Sequence, residues 1–415
     1  MAGSPAVALS TREKLERARV ASAALAQLST SQKNALLFEI ADALEANASR
    51  ILRSNEQDIQ RSNLSGAMRD RLLLTTEGVS QMAAATRDVA ALPDPINEVL
   101  EEWTRPNGLL IRKIRVPLGV VGIVYESRPN VTVDAAALCL KTGNAVVLRG
   151  GKEAAGSNQV LAEIMAGVKG LPSGAIELLD SGSRDTVQEL IRARGLVDVV
   201  IPRGGPGLIT HVMENALVPV IETGAGNCHI FVDESADFEM ANRIILNAKT
   251  QRPSVCNAAE KLLVHLHIAS QFIPQIARKL IDADVELRGD ETTCQIVSDV
   301  LPATEQDWSE EYLRLCMAIR VVAGLDDAIE HITRYSTRHS DAIITASKSN
   351  ADKFLRNVDS AAVYWNASTR FTDGGEFGFG AEMGVSTQKL HCRGPFALKE
   401  LTSTKYQVIG TGQTR

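Results

Sequence analysis

Apolar residues near the start of the chain recur with the period of an α-helix. Between Thr11 and about Ser62 they fall three and four residues apart, which is typical of helices that bury one face. Ser29, Thr30 and Ser31 offer an N-cap. We therefore predict two or three amphipathic helices here and another over residues 77–91. The clearest repeat is formed by Leu36, Leu37, Ile40, Ala41 and Leu44.

Short apolar runs then alternate with helix-compatible segments. The run Gly119–Tyr125 ends abruptly at Glu126, and Gly143-Asn144 turns the chain into a second run, Ala145–Arg149. Strands that alternate with helices in this way form right-handed βαβ units and a doubly wound parallel sheet. We predict strands at 119–125, 145–149, 176–179, 197–201 and 218–221, and helices at 133–141, 154–168, 185–193 and 208–215.

Polar segments follow several of these strands. In an open parallel sheet, ligands bind beyond the carboxyl ends of the strands. Those ends are Glu126–Asn130, Arg149–Lys152 and Pro202–Gly207. The last turn has glycines ahead of a helix, so its backbone N–H groups could face a pyrophosphate. It is not the GxGxxG fingerprint, and a tight turn also explains its glycines on steric grounds alone.

A half-exposed strand is predicted at Leu109–Leu118, where basic and apolar residues alternate. An uncovered edge of this kind needs a partner. Residues Thr402–Ile409 have the same character, so we predict that the two segments pair with each other or across subunits. Because the ribbon is too apolar to stand alone, we expect a homo-oligomer.

A second α/β unit is predicted to begin near Thr223. A strand is expected at 230–233 and a helix at 236–249, and the alternation continues through 262–266 and 268–280. Trp308 to Tyr312 should lie in the interior of this unit. The glycine-rich and aromatic loop at 373–380 is of a kind that is more often functional than idle.

Composition excludes several classes of function. With 415 residues, 45% hydrophobic and 23% charged, the chain is an ordinary globular protein long enough for two domains. A net charge of −6 gives no basic field for nucleic acid, so an anionic substrate must be met by locally placed Arg and Lys. No apolar run reaches the roughly 20 residues of a membrane helix, and Met1–Glu13 has no signal pattern. We therefore expect a cytoplasmic protein with no membrane or nucleic acid partner.

The six cysteines show no CxxC or disulfide-framework spacing, which favours reduced thiols and argues against structural zinc or another metal site. Cys256 stands out because it lies in a polar, bend-prone segment behind Pro253, which keeps Arg252 out of the helical region. Arg252 or a helix N-terminus beside the thiol would lower its pKa and increase the fraction of thiolate. The alternative is that Cys256 is a small buried apolar residue, as most lone cysteines are.

The order of these segments resembles that of the aldehyde dehydrogenase superfamily over nearly the whole chain. Gly119–Gly122 is similar to the opening of the family's substrate-side strand, Thr142–Arg149 to its cofactor strand, and Glu222–Gly226 to its Glu-Leu-Gly-Gly-Lys segment. Cys256 follows Glu222 by 34 positions, the separation expected of the family's carboxylate and nucleophile. The resemblance implies an α/β fold with a Rossmann-type cofactor domain, an α/β catalytic domain and a small β oligomerisation flap. It also implies that Cys256 is the nucleophile.

Two departures from the common family pattern point to one branch. Where ordinary members carry an oxyanion-hole Asn, this chain has Arg128, whose guanidinium can meet the charges of an acyl phosphate bidentately. Lys152 stands where NAD-specific members often place a carboxylate, and a cation there suits the 2′-phosphate of NADP. With segments 127–134, 252–258 and 394–398, these features resemble the branch that reduces L-glutamyl 5-phosphate to L-glutamate 5-semialdehyde in proline biosynthesis.

The resemblance implies that the Cys256 thiolate attacks the acyl phosphate, phosphate leaves, and NADPH reduces the thioester. The length suits a stand-alone enzyme, so a separate glutamate kinase would supply the substrate. Two alternatives stay open: an NAD(P)-dependent aldehyde dehydrogenase that oxidises another small aldehyde, and a catalytically silent nucleotide-binding scaffold. The implied site residues are Cys256 and Asn257 for catalysis, Arg128, Asn130 and Arg252 for substrate and phosphate, with Arg203 as a further candidate, and Arg149, Lys152, Gly204, Gly205, Glu222 and Glu311 for the cofactor.

The same resemblance implies a domain organisation. Residues 1–108 and 119–223 are expected to bind NADP, residues 224–365 to carry the nucleophile, and residues 366–398 to return to the cofactor domain. Residues 109–118 and 399–412 would form the oligomerisation ribbon. Glu222 is assigned to cofactor binding or to structure, and an acid–base role for it stays open because hydrolysis of a thioester is unwanted in a reductase.

Overall fold

The computed structural model describes residues 9–64 and 66–415. Residues 1–8, which belong to the segment where we predict no targeting signal, lie outside the described residues, as does residue 65. The chain divides into two compact units. Unit 1 contains the described residues up to Glu222 together with Phe379–Gly384 and Phe396–Arg415, and unit 2 contains Thr223–Gly378 and Val385–Pro395. Within the described ranges, no helix combines the length and apolar character needed to cross a membrane.

The N-terminal helices of unit 1 confirm the predicted helical pattern. Ser10 and Ser29 are each the N-cap of a helix and form a capping box. The serine side chain accepts a hydrogen bond from the backbone of the third helical residue, whose side chain accepts one from the backbone of the serine. The apolar residues predicted to face the core of the second helix are all buried. The helices are α1 Thr11–Leu25, α2 Thr30–Ala46, α3 Ala48–Arg61, α4 Gly66–Leu72 and α5 Thr76–Ala91.

A parallel sheet forms the centre of unit 1, with the strand order Ile176–Leu178 (β5), Ala145–Arg149 (β4), Val120–Tyr125 (β3) and Val199–Arg203 (β6). Two of the helices that follow its strands begin earlier than predicted, at Pro129 and Pro206, because proline fits the first turn of a helix, where no backbone donor is needed. The strand predicted at 218–221 is wrong, since only Val220 pairs there, as an isolated bridge to Val200. The elements are β3 Val120–Tyr125, α6 Pro129–Lys141, β4 Ala145–Arg149, a 3₁₀ turn Lys152–Ala154, α7 Ala155–Ala166, β5 Ile176–Leu178, α8 Asp185–Ile191, β6 Val199–Arg203 and α9 Pro206–Asn215.

An antiparallel ribbon completes unit 1. Strand β2 (Leu110–Pro117) pairs with β1 (Val99–Thr104) on one side and with β16 (Thr402–Ile409) on the other. The predicted pairing of the two basic and apolar segments is therefore confirmed within one chain. Strand β1 was not predicted, because Glu101 and Glu102 interrupt its apolar pattern.

Unit 2 is built on a parallel sheet covered by helices. Its strand order is Leu301–Pro302 (β10), Glu286–Gly289 (β9), Cys316–Val322 (β11), Ala259–His265 (β8), Cys228–Val232 (β7), Ser340–Ile344 (β12) and Ala362–Trp365 (β13). Strands β7, β8 and β12 are buried along their whole length, as expected of central strands in a covered parallel sheet. Trp308 and Tyr312 are buried, as predicted. The elements are β7 Cys228–Val232, α10 Phe238–Thr250, β8 Ala259–His265, α11 Leu266–Ile281, β9 Glu286–Gly289, α12 Glu291–Ile296, β10 Leu301–Pro302, α13 Glu305–Ser309, β11 Cys316–Val322, α14 Leu325–Tyr335, β12 Ser340–Ile344, α15 Lys348–Asn357, β13 Ala362–Trp365 and a 3₁₀ turn Thr369–Phe371. The strands β14 Gly384–Ser386 and β15 Gly394–Phe396 form a separate two-stranded sheet, and their residues Gly384 and Phe396 are assigned to unit 1.

The segment 366–398, predicted as a whole to return to the cofactor domain, is divided between the units. Only residues 379–384 and those from Phe396 onward belong to unit 1, whereas 366–378 and 385–395 belong to unit 2. The reason is local: Asn257 of unit 2 donates hydrogen bonds to the carbonyls of Arg370 and Thr372, so the start of the segment stays with the unit that carries Cys256.

Candidate active site

Cys256 lies in a series of turns between α10 and β8 and is half-buried. Four of the other cysteines are buried, and the remaining half-buried thiol, Cys294, faces the carbonyls of Gly289 and Val300 at 3.5 and 3.7 Å. The chain after Cys256 continues into a strand, so of the two sources of stabilisation considered from the sequence, a helix that begins directly after the thiol is not present. A cation is the remaining candidate for stabilising a thiolate here.

A buried ion pair closes the base of the loop that carries Cys256, residues 251–258, which we call the nucleophile loop. Lys249, in the last turn of α10, lies 2.9 Å from Glu260, the second residue of β8, and both side chains are fully buried. The other Glu260 oxygen accepts from the backbone N–H of Leu313 at 3.2 Å. Burial raises the pKa of Glu260, whereas Lys249 and Lys261 lower it. The pair therefore fixes both ends of the nucleophile loop against each other.

The segment Glu222–Gly226, which resembles the family's Glu-Leu-Gly-Gly-Lys segment, ends in a glycine that packs against the backbone of Cys256. A Cβ atom added to Gly226 would lie 1.5 Å from the carbonyl oxygen of Cys256, so only glycine fits at this approach. The Cys228 thiol donates to the same carbonyl oxygen at 3.1 Å. The backbone N–H of Gly226 donates to the Glu311 carboxylate at 2.6 Å. In this structure Glu311, predicted as a cofactor ligand, thus holds the backbone beside Cys256, while Glu222 is half-buried at the end of unit 1.

Asn257, predicted as an oxyanion donor, is buried with its side chain engaged. Its amide nitrogen donates to the carbonyls of Thr372 at 2.9 Å and Arg370 at 3.3 Å. The amide oxygen accepts from the Arg370 guanidinium. Since both amide hydrogens have acceptors, the backbone N–H groups of the nucleophile loop are the better candidates for an oxyanion hole.

Arg370 is a site residue that the sequence analysis missed. Besides contacting Asn257, it donates from Nε to the Gln251 side chain at 2.9 Å, and it is half-buried. Burial lowers the pKa of Arg370, and nearby Arg252 lowers it as well, whereas Asp373 and Cys256 raise it. Arg252 is exposed. The sequence places Arg370 shortly before the glycine-rich loop at 373–380, and this position is the signal that could have identified it.

The predicted cofactor residue Arg149 has main-chain partners. Its guanidinium donates to the carbonyls of Ser183 at 2.8 Å, Gly150 at 3.1 Å and Ser181 at 3.3 Å. Burial lowers the pKa of Arg149, whereas the nearby carboxylates of Asp180 and Glu153 raise it. In this structure Arg149 therefore holds the loop after β5 in place. Lys152 is exposed at the start of the 3₁₀ turn after β4, and it makes no ion pair within the described part of the chain.

Gly204 and Gly205 link β6 to α9, with Gly205 as the N-cap. A Cβ added to Gly204 would lie 2.6 Å from the carboxyl carbon of Glu126, so a steric reason for this glycine is present. The backbone N–H of Glu126 donates to the Arg203 carbonyl at 3.1 Å. The carboxylate of Glu126 thus lies beside the turn at which a pyrophosphate was expected.

Arg128 is the half-buried N-cap residue of α6, and Asn130 is exposed in its first turn. The Asn130 amide donates to Asp134 one turn later at 3.2 Å. Burial raises the pKa of Asp134 to about 6, although Asn130 and Arg203 lower it. Asp134 lines a cavity of about 210 Å³ in unit 1 that sequence reasoning did not find. Its walls are formed by Ala85, Thr86, Asp88, Val89, Asp134, Ala137, Leu138, Gly380, Ala381 and Glu382.

Comparison with known proteins places this geometry in a family. The profile of the aldehyde dehydrogenase family matches residues 6–296. A gamma-glutamyl phosphate reductase from Koribacter versatilis is 63% identical over 409 residues, covering 98% of this chain and 100% of the relative. The chain belongs to the gamma-glutamyl phosphate reductase family. Another member, from Caldanaerobacter subterraneus, is 55% identical over 97% of this chain and 99% of its own.

A solved structure of the gamma-glutamyl phosphate reductase family supports the fold independently. The crystal structure of the Thermotoga maritima member superposes with a TM-score of 0.96 at 49% identity, covering 98% of this chain and 99% of that one. The α/β aldehyde dehydrogenase fold expected from the sequence is therefore confirmed. As a member of the gamma-glutamyl phosphate reductase family, the chain is an oxidoreductase.

Proposed function

We propose that the chain catalyses the NADPH-dependent reduction of L-glutamyl 5-phosphate to L-glutamate 5-semialdehyde, with release of phosphate, in proline biosynthesis. The observation that carries the proposal is the half-buried thiol of Cys256, on a loop held by the Lys249–Glu260 pair and by the hydrogen bond from Cys228. The chain that carries this thiol is 63% identical to a relative named gamma-glutamyl phosphate reductase. A reaction of this kind needs an accessible nucleophile that is held in one geometry.

Cys256 attacks the acyl carbon, the bond to phosphate breaks, and a thioester to Cys256 forms. This covalent route divides one difficult reduction into two easier steps. Backbone N–H groups of the nucleophile loop stabilise the negative charge that develops on the carbonyl oxygen. Asn257 holds the loop through its bonds to Arg370 and Thr372. Glu311 keeps Gly226 against the Cys256 carbonyl.

The carboxyl edge of the unit 1 sheet fits a nicotinamide dinucleotide. Exposed Lys152 offers a cation to a 2′-phosphate, which favours NADPH over NADH. Gly204 and Gly205 offer backbone donors at the start of α9, while the neighbouring Glu126 carboxylate opposes an anion there. When bound, the cofactor supplies the hydride that reduces the thioester. Arg149, Glu222 and Glu311 remain proposed cofactor residues. Arg149 would act by holding the loop after β5, and Glu311 by holding the backbone of Gly226, which follows Glu222 in the same segment.

The charges of the substrate have counterparts on the chain. Arg128 and Asn130 are proposed to bind the phosphate or the α-carboxylate, and Arg252, exposed on the nucleophile loop, is a further candidate. The carboxylates of Asp88, Asp134 and Glu382 line one cavity of unit 1, which suits the α-ammonium group of a glutamyl compound.

The decisive experiment uses the reverse reaction. Wild-type enzyme should reduce NADP with L-glutamate 5-semialdehyde only when inorganic phosphate is present. Cys256→Ser should lower this activity about a thousandfold or more, because the nucleophile is lost. Cys294→Ser, which alters the other half-buried thiol, should stay near wild type. Near-wild-type activity of Cys256→Ser would rule out the covalent route.

Two other functions give different results in the same assays. Reduction of NADP by a small aldehyde without phosphate would indicate an aldehyde-oxidising enzyme. A catalytically silent scaffold would show no faster alkylation of Cys256 than of Cys294. We also propose that the enzyme is a cytoplasmic homo-oligomer that receives its substrate from a separate glutamate kinase.

A further inference from the structure

A cysteine nucleophile acts as its thiolate, and the thiolate needs a stabilising charge or dipole. The nucleophile loop provides no helix N-terminus after Cys256, because Ala259 begins a strand. The carboxylate nearest in sequence, Glu260, is turned toward Lys249 in the buried ion pair. A side chain that packs against the loop and carries a positive charge is therefore a candidate for this role.

Arg370 packs against the nucleophile loop on both sides of Cys256. Its guanidinium donates to Asn257, which directly follows Cys256, and to Gln251, five residues before it. The bonds of the Asn257 amide to the carbonyls of Arg370 and Thr372 hold the 3₁₀ turn at Thr369–Phe371 in the same place. The cation is thus fixed at the loop, whereas Arg252 is exposed.

We propose that Arg370 is a positioning residue that keeps Cys256 ionised by holding a fixed positive charge beside it and by clamping the nucleophile loop. This inference deepens the proposed function and rests on its nucleophile. Arg370 acts through the loop and through its charge, and forms no bond to the reacting atoms. A fixed cation within a few ångströms lowers the pKa of an acidic group by about one to three units.

A purely structural role predicts a different result from a charge role. If Arg370 only clamps the loop, its loss changes how fast the thiolate reacts but not the pH at which the thiolate forms. If its charge matters, the pH midpoint of reactivity moves. Arg370→Gln removes the charge and keeps an amide donor, and Arg370→Lys keeps the charge and loses the forked contact.

The experiment measures the rate of alkylation of Cys256 by iodoacetamide between pH 5 and 10, with peptide mass spectrometry to assign the modified thiol. We expect Arg370→Gln to raise the midpoint by about one pH unit or more and Arg370→Lys to leave it near wild type. Arg243→Gln is the matched control, since Arg243 is an exposed arginine of the same unit paired with Glu239. It should leave the midpoint unchanged.

An unchanged midpoint in a folded Arg370→Gln variant would overturn the inference, with folding checked by the melting temperature. If Arg370→Gln does not fold, Arg370→Met is measured in its place: a rise of about one unit in this neutral variant supports the charge role, and an unchanged midpoint overturns it. Failure of the proposed function is distinguishable, because it would appear as preferential alkylation of a thiol other than Cys256 in the wild type.

Discussion

Two residues of this molecule are constrained by their surroundings: the carboxylate of Asp134 is partly buried at a cost in stability, and Gly226 lies where no side chain can be accommodated. Asp134 keeps a carboxylate in a cavity wall where burial raises its pKa to about 6. Gly226 brings its backbone so close to Cys256 that no side chain fits. Groups that are unfavourable for stability and lie beside proposed chemistry are candidates for function.

At the residue scale, Asp134→Asn should stabilise the protein at neutral pH. The folded-state pKa of Asp134 lies above its ordinary value of 3.8, so the native state binds the proton more tightly, and its stability falls as pH rises from 4 to 6. The variant lacks this loss and should gain about 1–3 kcal/mol at pH 7.5 but little at pH 4. Urea unfolding at both pH values measures the difference. Asp88→Asn, at an exposed residue of the same cavity, is the control and should change the free energy of unfolding by less than Asp134→Asn.

Also at the residue scale, Gly226→Ala should impair catalysis severely. The added Cβ would lie 1.5 Å from the Cys256 carbonyl oxygen, so the nucleophile loop must move. A displacement of about 1 Å can lower the turnover rate about a hundredfold. The phosphate-dependent assay measures the effect. Gly207→Ala, where the added atom meets open space, should retain activity, and equal activity of the two variants would contradict the expectation.

At the element scale, α10 and β8 are joined through the Lys249–Glu260 pair at the base of the nucleophile loop. Lys249→Met should lower the free energy of unfolding by about 3–5 kcal/mol, because Glu260 would be left charged and unpaired in the interior. Denaturant unfolding measures the loss. The double variant with Glu260→Gln should recover part of it, and a double variant as unstable as Lys249→Met would contradict this account.

The elements also show what sequence can predict. Buried strands such as β3 and β4 were found because a covered parallel strand is apolar throughout, and α2 because its apolar residues share one face. Strand β1 was missed because charged residues occupy it. In the site, Cys256 was singled out from its local segment together with the family resemblance, whereas Arg370 and the Asp134 cavity depend on residues brought together only by folding. The Gly226 contact likewise belongs to tertiary packing.

At the scale of the whole molecule, the ribbon of β1, β2 and β16 leaves apolar side chains in solvent. Tyr406 and Val408 are 59% and 58% exposed on one face of β16, and Tyr406 meets Trp103 edge to face at 6.2 Å. Alternate residues of a strand share a face, so this surface is continuous. A surface of this kind favours burial against another subunit.

Val408→Lys should therefore reduce the oligomeric state. A charge in the apolar surface carries a desolvation cost on association, which weakens the contact. Light scattering coupled to size-exclusion chromatography measures the mass. Lys405→Ala, on the opposite face of β16, is the control and should leave the mass unchanged. An unaltered mass for Val408→Lys would show that this face is not the contact.

The pairing of β2 with β16 also has a consequence for synthesis. Arg115 of β2 bonds to Thr402, 287 residues later in the chain. At translation rates of about 5–20 residues per second, one edge of β2 waits roughly 15–60 seconds for its partner to leave the ribosome. Throughout that interval one edge of β2, a strand in which basic and apolar residues alternate, lacks the partner that it has in the folded chain. The ribbon is therefore completed only after the last segment of the chain has been synthesised, and until then the basic residues of β2 oppose wrong pairing along its open edge.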